Sequence, residues 1–260
     1  MSRVLTFGYG LAAYAVFFAV FVYGMGFIGG FLTPTQLDGE LKGSLASALA
    51  INLALLALFA VQHSGMARPV FKRWWTSIVP EAIERSTYVL VSSLLLGAFY
   101  VWWRPLGGVL WSVEGIARIA VITLYGLGWT LLLYSTFLID HFDLFGLRQV
   151  WRRLRDKPYA PPAFYTPKLY LLIRHPLYVG WLMIFWAAPT MTLAHLLFAV
   201  MTTAYILIAI QLEERDLMRV FPEYEEYRAR TPMLIPRFLP GNTNVRSNVR
   251  PGEGSKSAGH

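Results

Sequence analysis

The chain has 260 residues, 56% of them hydrophobic and 15% charged, with 23 Lys and Arg against 15 Asp and Glu. A charged fraction so far below the quarter usual in soluble domains excludes an ordinary water-soluble fold. The absence of cysteine excludes disulfides, iron–sulfur clusters, thiolate zinc sites and a Cys nucleophile, and the net charge of +8 fits membrane topology and anionic lipid rather than nucleic acid.

Apolar residues gather in blocks at 4–32, 44–61, 85–103, 115–139 and 177–212. Blocks of roughly 20 apolar residues match a hydrocarbon core of ~30 Å. The first block exceeds the h-region of a signal peptide and reads as a span. Within it Gly26 and Gly30 form a GxxxG, a spacing that lets helix backbones approach. The Gly-x-Gly triplets at 8–10, 24–26 and 126–128 sit in apolar helices with no strand before them, so they are not dinucleotide loops. Trp74-Trp75 beside Lys72-Arg73 predicts an interfacial segment, and Trp102-Trp103 and Trp111 mark the opposite interface. The last block is too long for one span and breaks at Pro189 and Thr190-Met191-Thr192 into a helical hairpin. The expected fold class is therefore an all-α integral membrane protein of about six transmembrane helices. Residues 1–240 form one domain, followed by a polar tail at 241–260 that is expected to be disordered.

Charge placement supports that count. The segments 64–84 and 140–176 and the stretch after Leu212 are rich in Lys and Arg, among them Arg68, Lys72, Arg148, Arg152, Arg153 and Arg155. The connections 33–43, 104–114 and 190–193 hold only Lys42 and Arg104 as positive charges. By the positive-inside rule the rich connections and both termini are cytoplasmic.

Ionisable groups at the ends of apolar spans are costly unless paired or facing a cavity. Four clusters meet that description: Gln62-His63-Ser64, the run from Asp140 through His141 and Asp143 to Arg148, the turn Arg174-His175-Pro176-x-Tyr178-x-Gly180, and Glu213-Glu214-Arg215-Asp216. Six spans bring all four to the same side of the bilayer, where they form one pocket or, in the plainer reading, solvated helix ends with exposed ion pairs of little energetic value. His195 starts the last helix on the other side and reads as structural. With five His and no pair at i, i+3 or i, i+4, no helix face presents two metal ligands, and no metal is expected.

Arg174-His175-Pro176-x-Tyr178-x-Gly180, an apolar hairpin, Glu213-Glu214, then Tyr224-x-x-Tyr227 and Pro232 resemble the isoprenylcysteine carboxyl methyltransferase and phospholipid methyltransferase superfamily over about 170–236, with Pro222 where relatives often carry Gly. The runs Gln62-His63-Ser64, Met66-Ala67-Arg68-Pro69, Lys72-Arg73-Trp74-Trp75, Glu84-Arg85-Ser86-Thr87-Tyr88 and 141–149 narrow the match. They look like the bacterial methanethiol S-methyltransferases, which are also similar to the NnrU family. The resemblance implies methyl transfer from S-adenosylmethionine to a small thiol, methanethiol giving dimethyl sulfide, with hydrogen sulfide as a further acceptor and S-adenosylhomocysteine as product. The expected location is the bacterial inner membrane, with the site on the cytoplasmic side and lipid and thiol as partners.

On that resemblance Arg174, His175, Pro176, Tyr178, Gly180, Glu213, Glu214, Tyr224 and Tyr227 form the cofactor-binding set, with Arg174 and the first amides of the following helix suited to a carboxylate. Pro176 fits the first helical turn. Either Glu213 or Glu214 suits the α-amino group, and the ring of Tyr178 suits a sulfonium. A small thiol is mostly protonated at neutral pH, so a base is expected: His141 oriented by Asp140 or Asp143 first, His63 second. Three alternatives stand beside this reading. They are a prenyl-cysteine or phospholipid acceptor, an NADPH-dependent membrane reductase using Arg152, Arg153 and Arg155, and a non-catalytic NnrU-like component.

Overall fold

The computed structural model describes residues 2–236, so the tail at 241–260 lies outside the described residues. The chain is an all-α integral membrane protein. Five helices are long and apolar enough to cross a membrane: α1 (Arg3–Gly29), α2 (Leu45–Ala67), α4 (Glu81–Trp102), α5 (Gly115–Leu138) and α10 (Leu193–Val220). Between them lie the short helices α3 (Pro69–Trp75), α6 (His141–Leu144), α7 (Leu147–Leu154), α8 (Lys168–Leu172) and α9 (Pro176–Trp186), and α11 (Glu223–Arg230) follows. Large apolar side chains such as Leu58, Leu94, Ile122, Phe137 and Ile208 are exposed, as helices facing hydrocarbon require.

The sixth passage differs from the expected full-length span. Helix α9 has 11 residues and is about 16 Å long at 1.5 Å per residue. The chain nevertheless runs from the Glu214 end of α10, where His175 Nε2 lies 2.9 Å from Glu214, to its Thr192 end. It covers the remainder as extended chain through Ala187–Pro189 and the strand β2 (Thr190–Thr192). This strand pairs antiparallel with β1 (Val109–Ser112), Val109 opposite Thr192 and Ser112 opposite Thr190. From Thr192 to Glu214 α10 rises roughly 33 Å, close to one hydrocarbon thickness.

The two ends are built differently. At the β1–β2 end the three sparsely charged connections interlock. Asn52 donates to the Arg104 carbonyl at 2.7 Å, Trp103 Nε1 donates to the Leu37 carbonyl at 3.0 Å, and Asp38 takes the hydroxyl of Thr192 and lies 2.9 Å from His195 Nδ1. His195 is buried and structural, as expected. Trp103 is buried, whereas Trp102 and Trp111 are exposed, so only those two suit the interfacial role expected of all three.

Two glycine readings are settled by contacts. Gly30 is not inside the first span: it terminates α1 in the left-handed region at φ 72°, its N–H bonded to the Gly26 carbonyl, and a Cβ on Gly26 would meet Phe31 and Thr33 of its own turn. The GxxxG is thus a helix C-cap and not an interhelical seam. The close approach occurs elsewhere: a Cβ on Gly180 would lie 2.9 Å from Leu132 N and 3.0 Å from the Gly128 carbonyl, so α9 meets α5 backbone to backbone.

Candidate active site

Adjacent positions on an α-helix point about 100° apart, and Glu213 and Glu214 accordingly face different neighbours. Glu214 is 1% exposed. Its Oε1 accepts from Arg174 Nε at 2.7 Å and lies 2.9 Å from His175 Nε2. Arg228 Nε stands 3.0 Å from Oε2 but off the bonding direction, so Oε2 accepts no hydrogen bond among the described residues. Arg174 also donates from Nη1 to the Arg228 carbonyl at 3.0 Å and to the Thr231 carbonyl. The backbone amides of Arg174 and His175 reach the carbonyls of Pro232 and Met233 at 2.9 and 3.2 Å. The Arg-His-Pro turn, the end of α10 and the returning α11 are therefore one clamp around the Glu214 carboxylate. Arg174 is held by protein acceptors on two of its three nitrogens, and Gly180 serves the α5 crossing.

Glu213 has a different environment. Its Oε2 accepts from the Tyr178 hydroxyl at 2.9 Å, and its carboxylate makes no ion pair among the described residues. Tyr170 and Tyr224 interact with it electrostatically. Burial pushes both of those hydroxyls above the ordinary tyrosine range, with Glu213 adding to the shift, so they remain neutral O–H groups. Tyr224 is buried, and Tyr227 donates to the Tyr170 carbonyl at 2.5 Å. Pro222 fits the turn before Tyr224 because its φ of -55° is the value its ring imposes. Pro176 likewise occupies the first turn of α9.

The Gln62-His63-Ser64 cluster adjoins this site. Ser64 lies 3.0 Å from the Tyr205 hydroxyl, and Arg68 donates to Asp216 at 2.8 Å. The Tyr88 hydroxyl is 3.1 Å from both nitrogens of His63, Ser92 lies 3.3 Å from Nδ1, and Phe59 stacks on the ring at 5.1 Å. The hydroxyls of Tyr88 and Tyr205 interact electrostatically with Tyr178, which joins this cluster to Glu213.

The Asp140–Arg148 run is at the same end of the bundle, fixed to α4 by Arg85 Nε donating to the Leu144 carbonyl at 2.8 Å. His141 is 5% exposed, stacked on Phe137 at 4.3 Å and flanked by Phe145 at 4.8 Å. Thr136 directs its hydroxyl hydrogen to the Leu133 carbonyl at 2.7 Å, so its oxygen accepts from His141 Nδ1–H at 2.8 Å. Nε2 then accepts from the Tyr14 hydroxyl, also at 2.8 Å. Burial holds the ring's pKa below its ordinary value, against the pull of Asp140. The groups holding the ring are thus Thr136 and Tyr14 rather than the carboxylates expected from the sequence. Asp140, at φ 80°, caps α6 through the Asp143 amide and takes Arg148 at 2.5 Å. Asp143 takes the Tyr159 hydroxyl at 3.3 Å, and burial raises its pKa above the usual carboxylate value.

No family model and no solved structure matches the chain. Among curated proteins, a methanethiol S-methyltransferase of Crocosphaera subtropica is 50% identical over 238 residues, 91% of this chain and 93% of the relative. Methanethiol S-methyltransferases 2 and 1 of Bradyrhizobium diazoefficiens are 47% and 51% identical, over 96% and 90% of this chain and 97% and 83% of their own lengths. The chain belongs to the methanethiol S-methyltransferase family.

In this member of the family, sequence reasoning missed Tyr14, Thr136, Tyr205, Ser92 and Arg228. The first four carry a usable signal: each is a hydroxyl inside an otherwise apolar helix, where an unpaired polar group is costly. Arg228 carries none, because it reaches Glu214 only through the return of α11.

Proposed function

We propose that the chain methylates the sulfur of methanethiol with S-adenosylmethionine, forming dimethyl sulfide, and that it accepts hydrogen sulfide as a second substrate. The observation that carries this reading is Glu213, a carboxylate bonded to Tyr178, neighboured by Tyr170 and Tyr224, with no cation of its own among the described residues. A carboxylate among tyrosines fits a ligand that bears an ammonium and a sulfonium. Glu214, which has Arg174, His175 and Arg228 around it, does not offer that.

When bound, the donor supplies a methyl group on a positively charged sulfur. Glu213 would hold the α-ammonium, kept in orientation by the Tyr178 hydroxyl. The amides of Leu177 and Tyr178, in the first turn of α9 beyond the reach of any helical carbonyl, suit the donor carboxylate. The Glu214 clamp fixes the backbone that carries both. Proximity and alignment of the two sulfurs supply much of the acceleration, and His63 and His141 are the imidazoles at this end for removal of the thiol proton. By the distribution of Lys and Arg this end faces the cytoplasm of a bacterial inner membrane.

The test is purified protein in detergent with labelled S-adenosylmethionine and methanethiol, assayed for dimethyl sulfide in the headspace. Product without added lipid or prenyl acceptor is expected. No product together with no binding of S-adenosylhomocysteine would overturn the proposal.

A further inference from the structure

We infer that His63, relayed by Tyr88, is the group that takes the thiol proton, and that His141 is a structural lock. This rests on the methyltransferase reading above. His63 is joined to the Glu213 site through hydroxyls: Tyr88 stands 3.1 Å from its ring nitrogens, Tyr88 interacts with Tyr178, and Tyr178 bonds Glu213 at 2.9 Å. Ser92 faces Nδ1, whereas Nε2 has the Tyr88 hydroxyl as its one polar contact among the described residues. A tyrosine hydroxyl donates or accepts equally well, so this contact leaves Nε2 able to take a proton. Phe59, stacked on the ring, fixes its plane.

His141 has the opposite character. Its Nδ1–H is donated to Thr136, its Nε2 is capped by Tyr14, and Phe137 and Phe145 cover the ring. To act as a base it would have to shed Tyr14 inside a closed aromatic box. His63, by contrast, lies on α2 beside the exposed Leu58 and Val61, which opens a route for a small apolar thiol arriving from the hydrocarbon.

In the step assigned here the thiol S–H bond breaks as an N–H bond forms at His63 Nε2. The freed sulfur lone pair makes the new S–C bond, and the electrons of the donor's breaking S–C bond stay on the donor sulfur, which becomes neutral. The imidazolium then returns its proton to water, so charge and atoms balance.

The experiment compares wild type, His63→Ala, His63→Gln, Tyr88→Phe and His141→Gln with methanethiol and with the more acidic 2,2,2-trifluoroethanethiol, and measures S-adenosylhomocysteine affinity for each. For methanethiol at neutral pH both His63 variants are expected to lose roughly 100-fold or more in kcat, the scale of general-base catalysis, with about a tenfold smaller deficit for the acidic thiol. S-adenosylhomocysteine affinity should stay within about threefold, which separates lost proton transfer from a damaged fold. A deficit of equal size with both thiols, or His63 variants of full activity beside a dead but folded His141→Gln, would overturn the inference. A wild-type protein that makes no dimethyl sulfide would defeat the methyltransferase reading itself, and this inference with it.

Discussion

Two adjacent carboxylates with opposite duties give a sharp prediction. In Glu214→Gln the buried charge at the centre of Arg174, His175 and Arg228 disappears while the shape is kept. Each of the two bonds to Oε1, from Arg174 at 2.7 Å and His175 at 2.9 Å, is charge-assisted and worth about 1.5–3 kcal/mol. Arg228 is 42% exposed, so its share is screened to at most about 1 kcal/mol. Removing one partner of a buried pair leaves the others uncompensated, and the expected cost is about 3–5 kcal/mol. At roughly 2–4 °C per kcal/mol for a chain of this size, the melting temperature should fall by at least about 6 °C.

Glu213→Gln should do the reverse. Its amide oxygen still accepts the Tyr178 hydroxyl, so stability changes by less than about 1 kcal/mol. The charge that would meet a bound ammonium is lost, and S-adenosylhomocysteine should bind roughly 10- to 100-fold more weakly, equivalent to about 1.4–2.8 kcal/mol. Thermal melting in detergent and isothermal titration on the same two preparations read both effects. Equal melting of the two variants, or undiminished affinity in Glu213→Gln, would refute the division of labour.

Gly180→Ala places a methyl 2.9–3.1 Å from the α5 backbone; it should lower the melting temperature by several degrees, at about 1–3 kcal/mol for overpacking, while Gly126→Ala on α5, with nothing within 4 Å of the new Cβ, should be neutral or slightly stabilising. Tyr14→Phe leaves the buried Nε2 of His141 without its donor and should cost about 1–3 kcal/mol, visible as a lower melting temperature with S-adenosylhomocysteine affinity unchanged. Burial depresses the His141 pKa below 6.5, so the unfolded chain takes up this proton first. Its contribution is therefore intact above pH 6.5 and lost as pH falls through the window beneath it. The melting temperature of the wild type should drop more between pH 7 and pH 5 than that of His141→Gln, and parallel profiles would sink the assignment.

The long helices were legible because hydrocarbon demands an unbroken run of apolar residues, and α1, α2, α4, α5 and α10 supply one. The true length of α9 was not. Trp186, Ala187 and Ala188 are as apolar in extended chain as in a helix, and the feature that unwinds them is a pairing of Thr190–Thr192 with Val109–Ser112, about eighty residues apart in sequence. The location of the site was legible for the same reason as the helices: ionisable residues at span ends stand out against a background that excludes them. The duties within it were not. Arg174 reads in sequence as a free guanidinium for an anionic ligand, and in the structure its Nη1 is taken by carbonyls of Arg228 and Thr231, reached only because α11 folds back under the bundle. That return separates the two glutamates. It supplies Arg228 to the face of α10 that carries Glu214 and none to the face, about 100° away, that carries Glu213. A motif records which residue types recur at which spacing; the cation left over for a ligand is decided by which carboxylate the C-terminal helix neutralises.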